Sequence, residues 1–490
     1  MEDVVETLRR ATAEPLPHPD LETLRTYCGR VADWVLADFA TLPERRVSKK
    51  ATRQEMEKLL REPPPEQGRD LATVLGEFQE KVAPYTFRPN HPRFFAFIPG
   101  APNFLSALGE WLCTGTNYFA GVWLEAAGPT QVEIVVLDWF KELLGYPREA
   151  RGILTSGGSE ANLTALVVAR ERLTFEDRSR AILYLTEHRH WSVDRAAKVI
   201  GLRPDQLRAL PADEQFRLNQ VAVEKAVSED IAFGRLPWVV VANAGATNTG
   251  TVDPLAELAD VCQKHRLWLH LDAAYGWPAV LTEEGKRHLH GIERADSITL
   301  DPHKWFGQTF ESGCVLIRHG RELPAAFSLR PDYMQDVVPG ADEINFADEG
   351  LALTRRFRAL KIWLSVKVLG LGWFRQLIKH SCNLIELAQE LLVRSGKFEI
   401  LCPRQLSVVC FRYLPRKTMS ESEIEQINQR IFEEIMAGGR AFLSTTRLNG
   451  KLALRLCSVN WRTTAADVEE VVNLLLKVGG PPIDQDGQHS

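Results

Sequence analysis

The chain has 490 residues, of which 45% are hydrophobic and 25% charged, as expected for a globular protein of roughly two or three domains. Its 59 Lys and Arg residues and 64 Asp and Glu residues give a net charge of −5, and without a long basic run we expect no nucleic-acid partner. The N-terminal segment mixes acids and bases, and every apolar stretch is shorter than the roughly 18 residues of a membrane-spanning helix. We therefore expect neither a secretory signal nor an association with a membrane.

Residues 1–75 have the pattern of amphipathic helices, with apolar residues at helical spacing between residues 21 and 42. The segment REPPPEQG interrupts this pattern, and two short helices have too little apolar surface for a core of their own. We expect this N-terminal helical segment to pack on another subunit.

Residues 76–360 alternate short apolar runs with helical stretches. Runs such as GILTS, AILYLT, PWVVVANA and LWLHLDAA are typical of buried parallel strands, and the stretches between them suit crossover helices. This pattern predicts a large α/β domain. Residues 361–480 add further strands and two long helices, which predicts a smaller C-terminal α+β domain, and residues 481–490 are expected to form a frayed tail.

Eight cysteines are scattered along the chain without a C-x-x-C pair. This spacing disfavours a zinc ribbon or a disulfide framework, and scattered thiols are typical of a reducing compartment. We expect a cytoplasmic protein without a metal site.

Two charged residues follow strands of the predicted sheet. Lys304 follows the apolar run SITL in SITLDPHKW, where partial loss of water favours the neutral amine that attacks a carbonyl. Asp272 ends the run LWLHL, where a carboxylate needs a cation or a hydrogen-bond donor, such as the protonated nitrogen of a pyridinium cofactor. Each residue alone has a plainer interpretation, a surface lysine or a capping aspartate. Both could meet at the carboxyl edge of the sheet.

The segment GILTSGGSEANL predicts a strand, a Gly-Gly-Ser turn and the start of a helix. Backbone N–H groups at a helix N-terminus, together with the Ser159 hydroxyl, suit a phosphate dianion, although an ordinary loop with a serine N-cap has the same pattern. The segment is neither a Walker A loop nor G-x-G-x-x-G. His188 and His190 follow another strand, where an imidazole could stack on a cofactor; a metal pair lacks a third ligand, and a plain loop histidine remains an alternative.

Six segments in this order resemble the group II pyridoxal-phosphate decarboxylases, with the aromatic-amino-acid decarboxylases as the nearest members: HPRFFAFIPG, TSGGSEANL, HWSVDRA, HLDAAYG, ADSITLDPHKW and LTRRFRALKIW. The resemblance covers nearly the whole chain. It implies the fold of PLP-dependent transferases (fold type I), pyridoxal 5'-phosphate as cofactor, and a homodimer. The implied reaction removes the α-carboxylate of an amino acid as CO2 and leaves the amine.

The resemblance also implies roles for individual residues. Lys304 would bind the cofactor covalently, Asp272 would pair with the pyridine N–H, and His190 would stack over the ring. Tyr333, on a loop that could close over the site, would return a proton to the substrate carbon. Further positions that match the family's cofactor contacts are Gly158, Ser159, Thr247 and His303.

The substrate is implied less sharply. An aromatic side chain would contact positions Phe97, Ile98, Pro99, Tyr275 and Thr354. Gly100 departs from the animal enzymes, which have Thr near the substrate carboxylate, and Thr354 replaces a small residue beside the substrate ring. The predicted substrates are phenylalanine, tyrosine, dopa or tryptophan. One alternative is that the substrate is a non-aromatic amino acid. The other is that the enzyme is an aldehyde synthase, as are some relatives that lack the tyrosine or the stacking histidine.

Overall fold

The computed structural model describes residues 3–98, 100–329, 339–340 and 342–480. The chain divides into two compact units, Met1–Phe87 and Arg88–Ser490, and each is described by itself. Among the described residues, no helix is both long and apolar enough to span a membrane.

The first unit is helical, as predicted. Its helices are α1 (Val4–Ala11), α2 (Leu21–Thr41), α3 (Arg53–Leu60) and α4 (Leu71–Glu77). Each begins after an Asp or Thr whose side chain accepts a hydrogen bond from a backbone N–H of the first turn. None of the four helices contains a buried residue within one chain, and Val31, Val35 and Leu36 of α2 are exposed apolar side chains.

The second unit contains a seven-stranded sheet in the order β1-β7-β6-β5-β4-β2-β3. The strands are β1 (Arg151–Thr155), β2 (Ala181–Thr186), β3 (Leu207–Leu210), β4 (Leu236–Asn243), β5 (Trp268–Asp272), β6 (Ser297–Leu300) and β7 (Gly313–Ile317). Only β7 runs antiparallel to its neighbours β1 and β6 in this sheet. Every residue of β2, β5, β6 and β7 is buried, which explains their nearly continuous apolar sequences.

Helices cover this sheet. They are α5 (Phe104–Thr116), α6 (Trp123–Leu144), α7 (Gly158–Glu171), α8 (Phe175–Arg178), α9 (Trp191–Val199), α10 (Gln220–Ala232), α11 (Leu255–His265), α12 (Glu283–His288) and α13 (Glu322–Phe327). The helices α7, α10 and α11 connect parallel strands. The ends of three central strands therefore lie side by side: Asp272 is paired in register with Asn243 of β4 and with Thr299 of β6.

The C-terminal part forms a four-stranded antiparallel sheet in the order β10-β11-β9-β8. Its elements are α14 (Ala359–Arg394), β8 (Phe398–Cys402), β9 (Val408–Tyr413), α15 (Glu421–Gly438), β10 (Ser444–Leu448), β11 (Lys451–Cys457) and α16 (Ala465–Gly479). The predicted fold class is confirmed: a mostly parallel sheet with flanking helices, a small C-terminal α+β part and an N-terminal helical segment. The boundaries after residues 75 and 360 stay predictions.

Candidate active site

A cavity of about 390 Å³ lies at the carboxyl edge of the large sheet. Eight of the residues predicted from the sequence line it: Gly158, Ser159, His190, Thr247, Asp272, Tyr275, His303 and Lys304. They come from the ends of β1, β2, β4, β5 and β6 and from the loops that follow. The parallel arrangement of these strands brings segments together that are far apart in sequence.

Lys304 lies in a tight turn after β6. Its backbone N–H donates to the carbonyl of Asp301 at 3.0 Å, and the Gly307 N–H donates to the carbonyl of Lys304 at 3.0 Å. The Lys304 Nζ lies 3.0 Å from Asp301 Oδ2, and about a fifth of the lysine side chain (21%) is exposed. The amine is thus held at the wall of the cavity by a buried carboxylate.

Gly100 packs directly on this turn. A Cβ atom at position 100 would lie 1.9 Å from the carbonyl oxygen of Lys304 and 2.6 Å from that of His303. With this backbone the position has no room for any side chain. A glycine in place of the threonine of the animal enzymes therefore allows the backbone at position 100 to approach the turn at Lys304 closely.

The helix α7 begins at Gly158 beside the cavity, and its N-cap Gly157 makes no side-chain cap bond. Ser159 is the second residue of the helix, so the alternative of an ordinary serine N-cap is wrong. A Cβ on Gly158 would lie 2.9 Å from Asp301 Oδ2, and one on Gly157 would lie 3.2 Å from His303 Cε1. The two glycines thus keep the first N–H groups of the helix open to a small anion.

His303 closes one side of this helix N-terminus. Its Nδ1 accepts a hydrogen bond from the backbone N–H of Ser312 at 3.0 Å, and its Nε2 lies 3.7 Å from Asp301 Oδ2. Burial lowers the pKa of His303. A neutral ring whose Nδ1 accepts must carry its proton on Nε2, on the side of Asp301.

Asp272 ends β5 and is only 8% exposed. Its Oδ2 accepts a hydrogen bond from Asn162 Nδ2 at 3.0 Å, and its Oδ1 accepts one from the backbone N–H of Ala274 at 3.2 Å. Two donors stabilise the carboxylate in this buried position, and each oxygen keeps a lone pair for a further donor.

His190 is the N-cap residue of α9, and its Nδ1 accepts a hydrogen bond from the Ser192 N–H at 3.3 Å. The Ser192 Oγ lies 2.7 Å from the same nitrogen. Burial lowers the pKa of His190. The nearby Lys304 cation also lowers it, whereas the Asp272 carboxylate raises it. We therefore assign His190 as a neutral imidazole with its proton on Nε2.

His188 has a different environment. It is buried with its ring 5.4 Å from that of Phe216 in an edge-on contact, and it does not line the cavity. Burial lowers its pKa. Within the part of the chain that the structure describes, no three His, Cys, Asp or Glu side chains are grouped as metal ligands would be.

Thr247 and Tyr275 approach the cavity from two loops that touch each other. Gly245, with φ of 106°, allows this contact, because a Cβ there would lie 2.8 Å from the Tyr275 ring. The Tyr275 hydroxyl is bonded to Ser407 Oγ at 2.5 Å and accepts the Ser407 N–H at 2.9 Å. Tyr275 thus presents its ring to the cavity, while its hydroxyl is held in the core.

Three predicted substrate contacts do not line the cavity within one chain. Phe97 is 55% exposed, Ile98 is buried in the main core, and Thr354 is exposed. Pro99 and Tyr333 lie outside the described residues. A larger cavity of about 730 Å³ lies between α6, α12 and α14 and contains none of the predicted site residues.

Sequence reasoning missed several polar residues of the site, among them Asn162 and Ser192, which line the cavity, and His270, which is bonded to Asn162. For each of these three residues, its spacing in the sequence from a predicted site residue could have indicated it. His270 lies two residues before Asp272 on one strand, so both point to the same face of the sheet. Asn162 lies one helical turn after Gly158. Ser192 lies two residues after His190, at the start of α9.

A family model described as the pyridoxal-dependent decarboxylase conserved domain matches residues 54–414. The chain is 41% identical to an aromatic-L-amino-acid decarboxylase of Bacillus atrophaeus, over 93% of this chain and 95% of that protein. It is 28% identical to a phenylacetaldehyde synthase of Arabidopsis thaliana, over 92% of this chain and 94% of that protein. Among solved structures, Catharanthus roseus tryptophan decarboxylase in complex with L-tryptophan matches with a TM-score of 0.89 and 26% identity, over 95% of this chain and 99% of that one.

Proposed function

The chain belongs to the pyridoxal-dependent decarboxylase family and is a PLP-dependent amino-acid decarboxylase, and we propose that its substrate is an aromatic L-amino acid. The observation that carries the substrate class is the 41% identity to an aromatic-L-amino-acid decarboxylase along nearly the full length of both chains. The likeness to a tryptophan decarboxylase solved with L-tryptophan supports the same class. The products would be the arylalkylamine and CO2.

The cavity fits the cofactor at both ends. At one end the α7 N-terminus lacks a side-chain cap, and glycines 157 and 158 keep it open where a Cβ would fill it. At the other end Asp272 is a buried carboxylate with a free lone pair on each oxygen. We propose that the phosphate is held by Gly158, Ser159 and His303, that Asp272 accepts the ring N–H, and that Thr247 and His190 contact the ring.

Lys304 is the proposed covalent anchor. It is the lysine that lines the cavity, and Asp301 holds its Nζ at 3.0 Å. When bound, the cofactor supplies a conjugated pyridinium ring that accepts the electron pair left by the departing carboxylate. The protein's part is to keep a negative charge at Asp272, so that the ring nitrogen stays protonated and electron-withdrawing.

His190 is proposed to orient the reacting groups. Because its Nδ1 is occupied by the Ser192 N–H, its Nε2–H is the polar atom that it can offer to the cavity. As a neutral ring it would pack against an aromatic cofactor without adding a second cation beside Lys304. Tyr333, outside the described residues, remains the predicted proton donor to the substrate carbon.

We also propose that the protein is a cytoplasmic homodimer. The first unit carries exposed apolar residues on α2, and Phe97 and Thr354 lie outside the cavity of their own chain, which is expected where a second subunit completes a site. All eight cysteines are free thiols, in keeping with a reducing compartment. For the domains, we keep residues 1–75 as the dimerisation segment, 76–360 as the cofactor-binding domain and 361–480 as the small domain.

The first experiment tests the site. Purified protein with PLP should absorb visible light, and Lys304→Ala should lose both that absorbance and amine formation. Lys198→Ala removes an exposed lysine of α9 and serves as the matched control. Turnover retained by Lys304→Ala would refute the covalent role.

The second experiment tests the reaction and the substrate. Phenylalanine, tyrosine, dopa, tryptophan and glutamate are each incubated with the enzyme, and CO2, amine, aldehyde and hydrogen peroxide are measured. Amine and CO2 from the aromatic acids alone support the proposal. Aldehyde with peroxide would instead support the aldehyde synthase that the Arabidopsis relative's name suggests, and turnover of glutamate alone would contradict an aromatic pocket.

A further inference from the structure

Behind Asp272, a series of buried hydrogen bonds connects five side chains that the proposed chemistry does not use directly. Trp268 Nε1 lies 2.7 Å from Ser297 Oγ, and Ser297 Oγ lies 2.8 Å from His270 Nδ1. His270 Nε2 lies 3.0 Å from Asn162 Oδ1. Asn162 Nδ2 then lies 3.0 Å from Asp272 Oδ2 and 2.9 Å from Ser192 Oγ.

All of these groups are shielded from water. The exposed fraction is 0% for His270 and Ser297, 1% for Asn162 and 2% for Ser192. A buried polar atom that loses its partner has no water to replace it, so each bond depends on the next one. Such a series of buried hydrogen bonds has few alternative arrangements of its protons.

The direction of each bond follows from chemistry. A carboxylate accepts hydrogen bonds and does not donate them, so the amide nitrogen of Asn162 must face Asp272 and its oxygen must face His270. The Asn162 oxygen only accepts, so His270 must carry a proton on Nε2. Burial lowers the pKa of His270 to about 4, so the ring has no second proton at neutral pH.

With its proton on Nε2, His270 accepts at Nδ1 and receives the hydroxyl proton of Ser297. The indole N–H of Trp268 is a donor only, and it donates to the oxygen of Ser297. Every bond in the chain therefore points towards Asp272. The series begins at the indole N–H of Trp268, which can only donate, and ends at the carboxylate of Asp272, which can only accept, so the donor and acceptor roles along it are fixed.

A branch at Asn162 reaches the second site residue. The other hydrogen of the Asn162 amide goes to Ser192 Oγ, which leaves the Ser192 hydroxyl proton for His190 Nδ1. The Ser192 N–H donates to the same nitrogen. The Asn162 amide thus provides the donor on Asp272 and, through Ser192, supports the His190 tautomer that the Ser192 N–H requires.

We propose that Asn162 and His270 are positioning residues of the decarboxylation site: His270 holds the Asn162 amide in one orientation, and that amide donates to Asp272 and, through Ser192, helps to hold His190 with its proton on Nε2. The proposal rests on the proposed function, because Asp272 and His190 matter as contacts of the cofactor. It goes further by assigning the two residues that set their proton positions.

The decisive comparison is between His270→Gln and His270→Leu. A glutamine can donate from Nε2 to Asn162 and accept from Ser297 at Oε1, so it can keep the amide oriented. A leucine of similar volume can do neither. We expect the PLP dissociation constant, measured by equilibrium dialysis, to stay within about threefold for His270→Gln and to rise about tenfold or more for His270→Leu, the effect of one lost charge-assisted hydrogen bond.

A spectroscopic readout makes the test independent of catalysis. In apoprotein with 15N-labelled histidine, the imidazole nitrogen shifts distinguish protonated from unprotonated positions, and signals are assigned by their loss in His190→Gln and His270→Gln. We expect His190 and His270 to carry their protons on Nε2 in the wild type. In Asn162→Leu the His190 signal should change, because Ser192 loses its donor.

Asn428→Leu is the matched control. Asn428 is equally buried in α15 and donates to the carbonyls of Tyr413 and Ile424, so its loss removes a buried amide outside the site. It should leave the His190 signal unchanged. The proposal is overturned if the wild-type His190 is protonated on Nδ1, or if His270→Leu and His270→Gln bind PLP equally well. Failure of the wild type to bind PLP at all would instead refute the proposed function, while the apoprotein tautomers would still test the hydrogen-bond chain.

Discussion

Lys304 Nζ and Asp301 Oδ2 lie 3.0 Å apart in the turn that follows β6. The Asp301 carboxylate is 2% exposed, and its other oxygen, Oδ1, has no hydrogen-bond partner among the described residues. Its Oδ2 lies next to Gly158, the first residue of α7, and 3.7 Å from His303 Nε2. Asp301 therefore connects the lysine to the helix N-terminus where we propose that the phosphate binds.

The Lys304–Asp301 pair should show a measurable coupling in the apoprotein. Removing Lys304 leaves a buried carboxylate without its cation, and removing the charge of Asp301 leaves a partly buried cation without its anion. Lys304→Ala and Asp301→Asn should therefore each lower the free energy of unfolding, while the double variant should lose less than the sum. We expect a coupling of about 1–2 kcal/mol, reduced from that of a fully buried pair because the lysine is partly exposed. Denaturant unfolding of the four proteins measures it. Strictly additive losses would mean that the two groups do not interact in solution.

Gly100→Ala should damage both stability and cofactor binding. The new methyl group would overlap the Lys304 carbonyl oxygen, so the turn that carries the lysine must move. We expect a loss of roughly 2 kcal/mol or more, and weaker PLP binding by equilibrium dialysis.

Gly115→Ala is the matched control for that substitution. Gly115 lies in α5, where a Cβ would meet nothing within 4 Å. This change should stabilise the protein by about 0.5–1 kcal/mol, because alanine is the better helix former. Equal effects of the two substitutions would contradict the close approach at Gly100.

The buried pair of Glu133 and Arg355 should be essential for the fold around β1. Both side chains are at most 1% exposed, with Arg355 Nη2 at 2.5 Å from Glu133 Oε1. The same carboxylate oxygen accepts the Leu154 N–H at 2.9 Å, and Arg355 Nη1 donates to the Leu154 carbonyl at 3.1 Å. Arg355→Ala should therefore cost about 3–5 kcal/mol, since it leaves a buried carboxylate without its cation.

Thermal or denaturant unfolding checks this value, and Arg356→Ala offers a comparison one residue away. Arg356 pairs with Glu110 on a more exposed site, with 40% of its side chain accessible, so its loss should cost about 1 kcal/mol or less. A similar loss for both variants would show that burial is not what makes the Glu133 pair strong.

His270 should contribute to the pH dependence of stability. The folded state keeps the ring neutral down to a pKa of about 4, whereas the unfolded chain takes up a proton near the ordinary value of 6.5. The unfolded state then binds more protons in this window, so stability falls as the pH is lowered from about 6.5 to about 4, by an amount on the order of 3 kcal/mol.

Other buried groups also make stability depend on pH; burial raises the pKa of Asp253, for example, to about 6. The difference between the wild type and His270→Gln separates the contribution of His270 from theirs. The variant should lose less stability than the wild type between pH 7 and pH 4.5 in urea unfolding. Parallel curves for the two proteins would show that His270 does not remain neutral in the folded state.

Local sequence patterns were sufficient to predict several residues that line the cavity, because each lies near the end of a strand. Lys304, Asp272 and His190 follow buried apolar runs, and in a mostly parallel sheet such ends meet at one edge. Of the described residues predicted to contact the substrate, Tyr275 lines the cavity, whereas Phe97, Ile98 and Thr354 do not line it within one chain. Tyr275 lines the cavity with its ring while its hydroxyl is bonded to Ser407, which is far away in sequence.

The amino-acid sequence by itself determined the family, the α/β fold class and the cofactor, since apolar periodicity and short motifs are properties of neighbouring residues. The tertiary structure decided how the residues that line the cavity are held. The bond between Asn162 and Asp272 spans 110 positions, and the contact between Gly100 and Lys304 joins segments from different parts of the fold. Such contacts depend on how helices and strands pack in three dimensions, where the loss of water makes each polar partner obligatory.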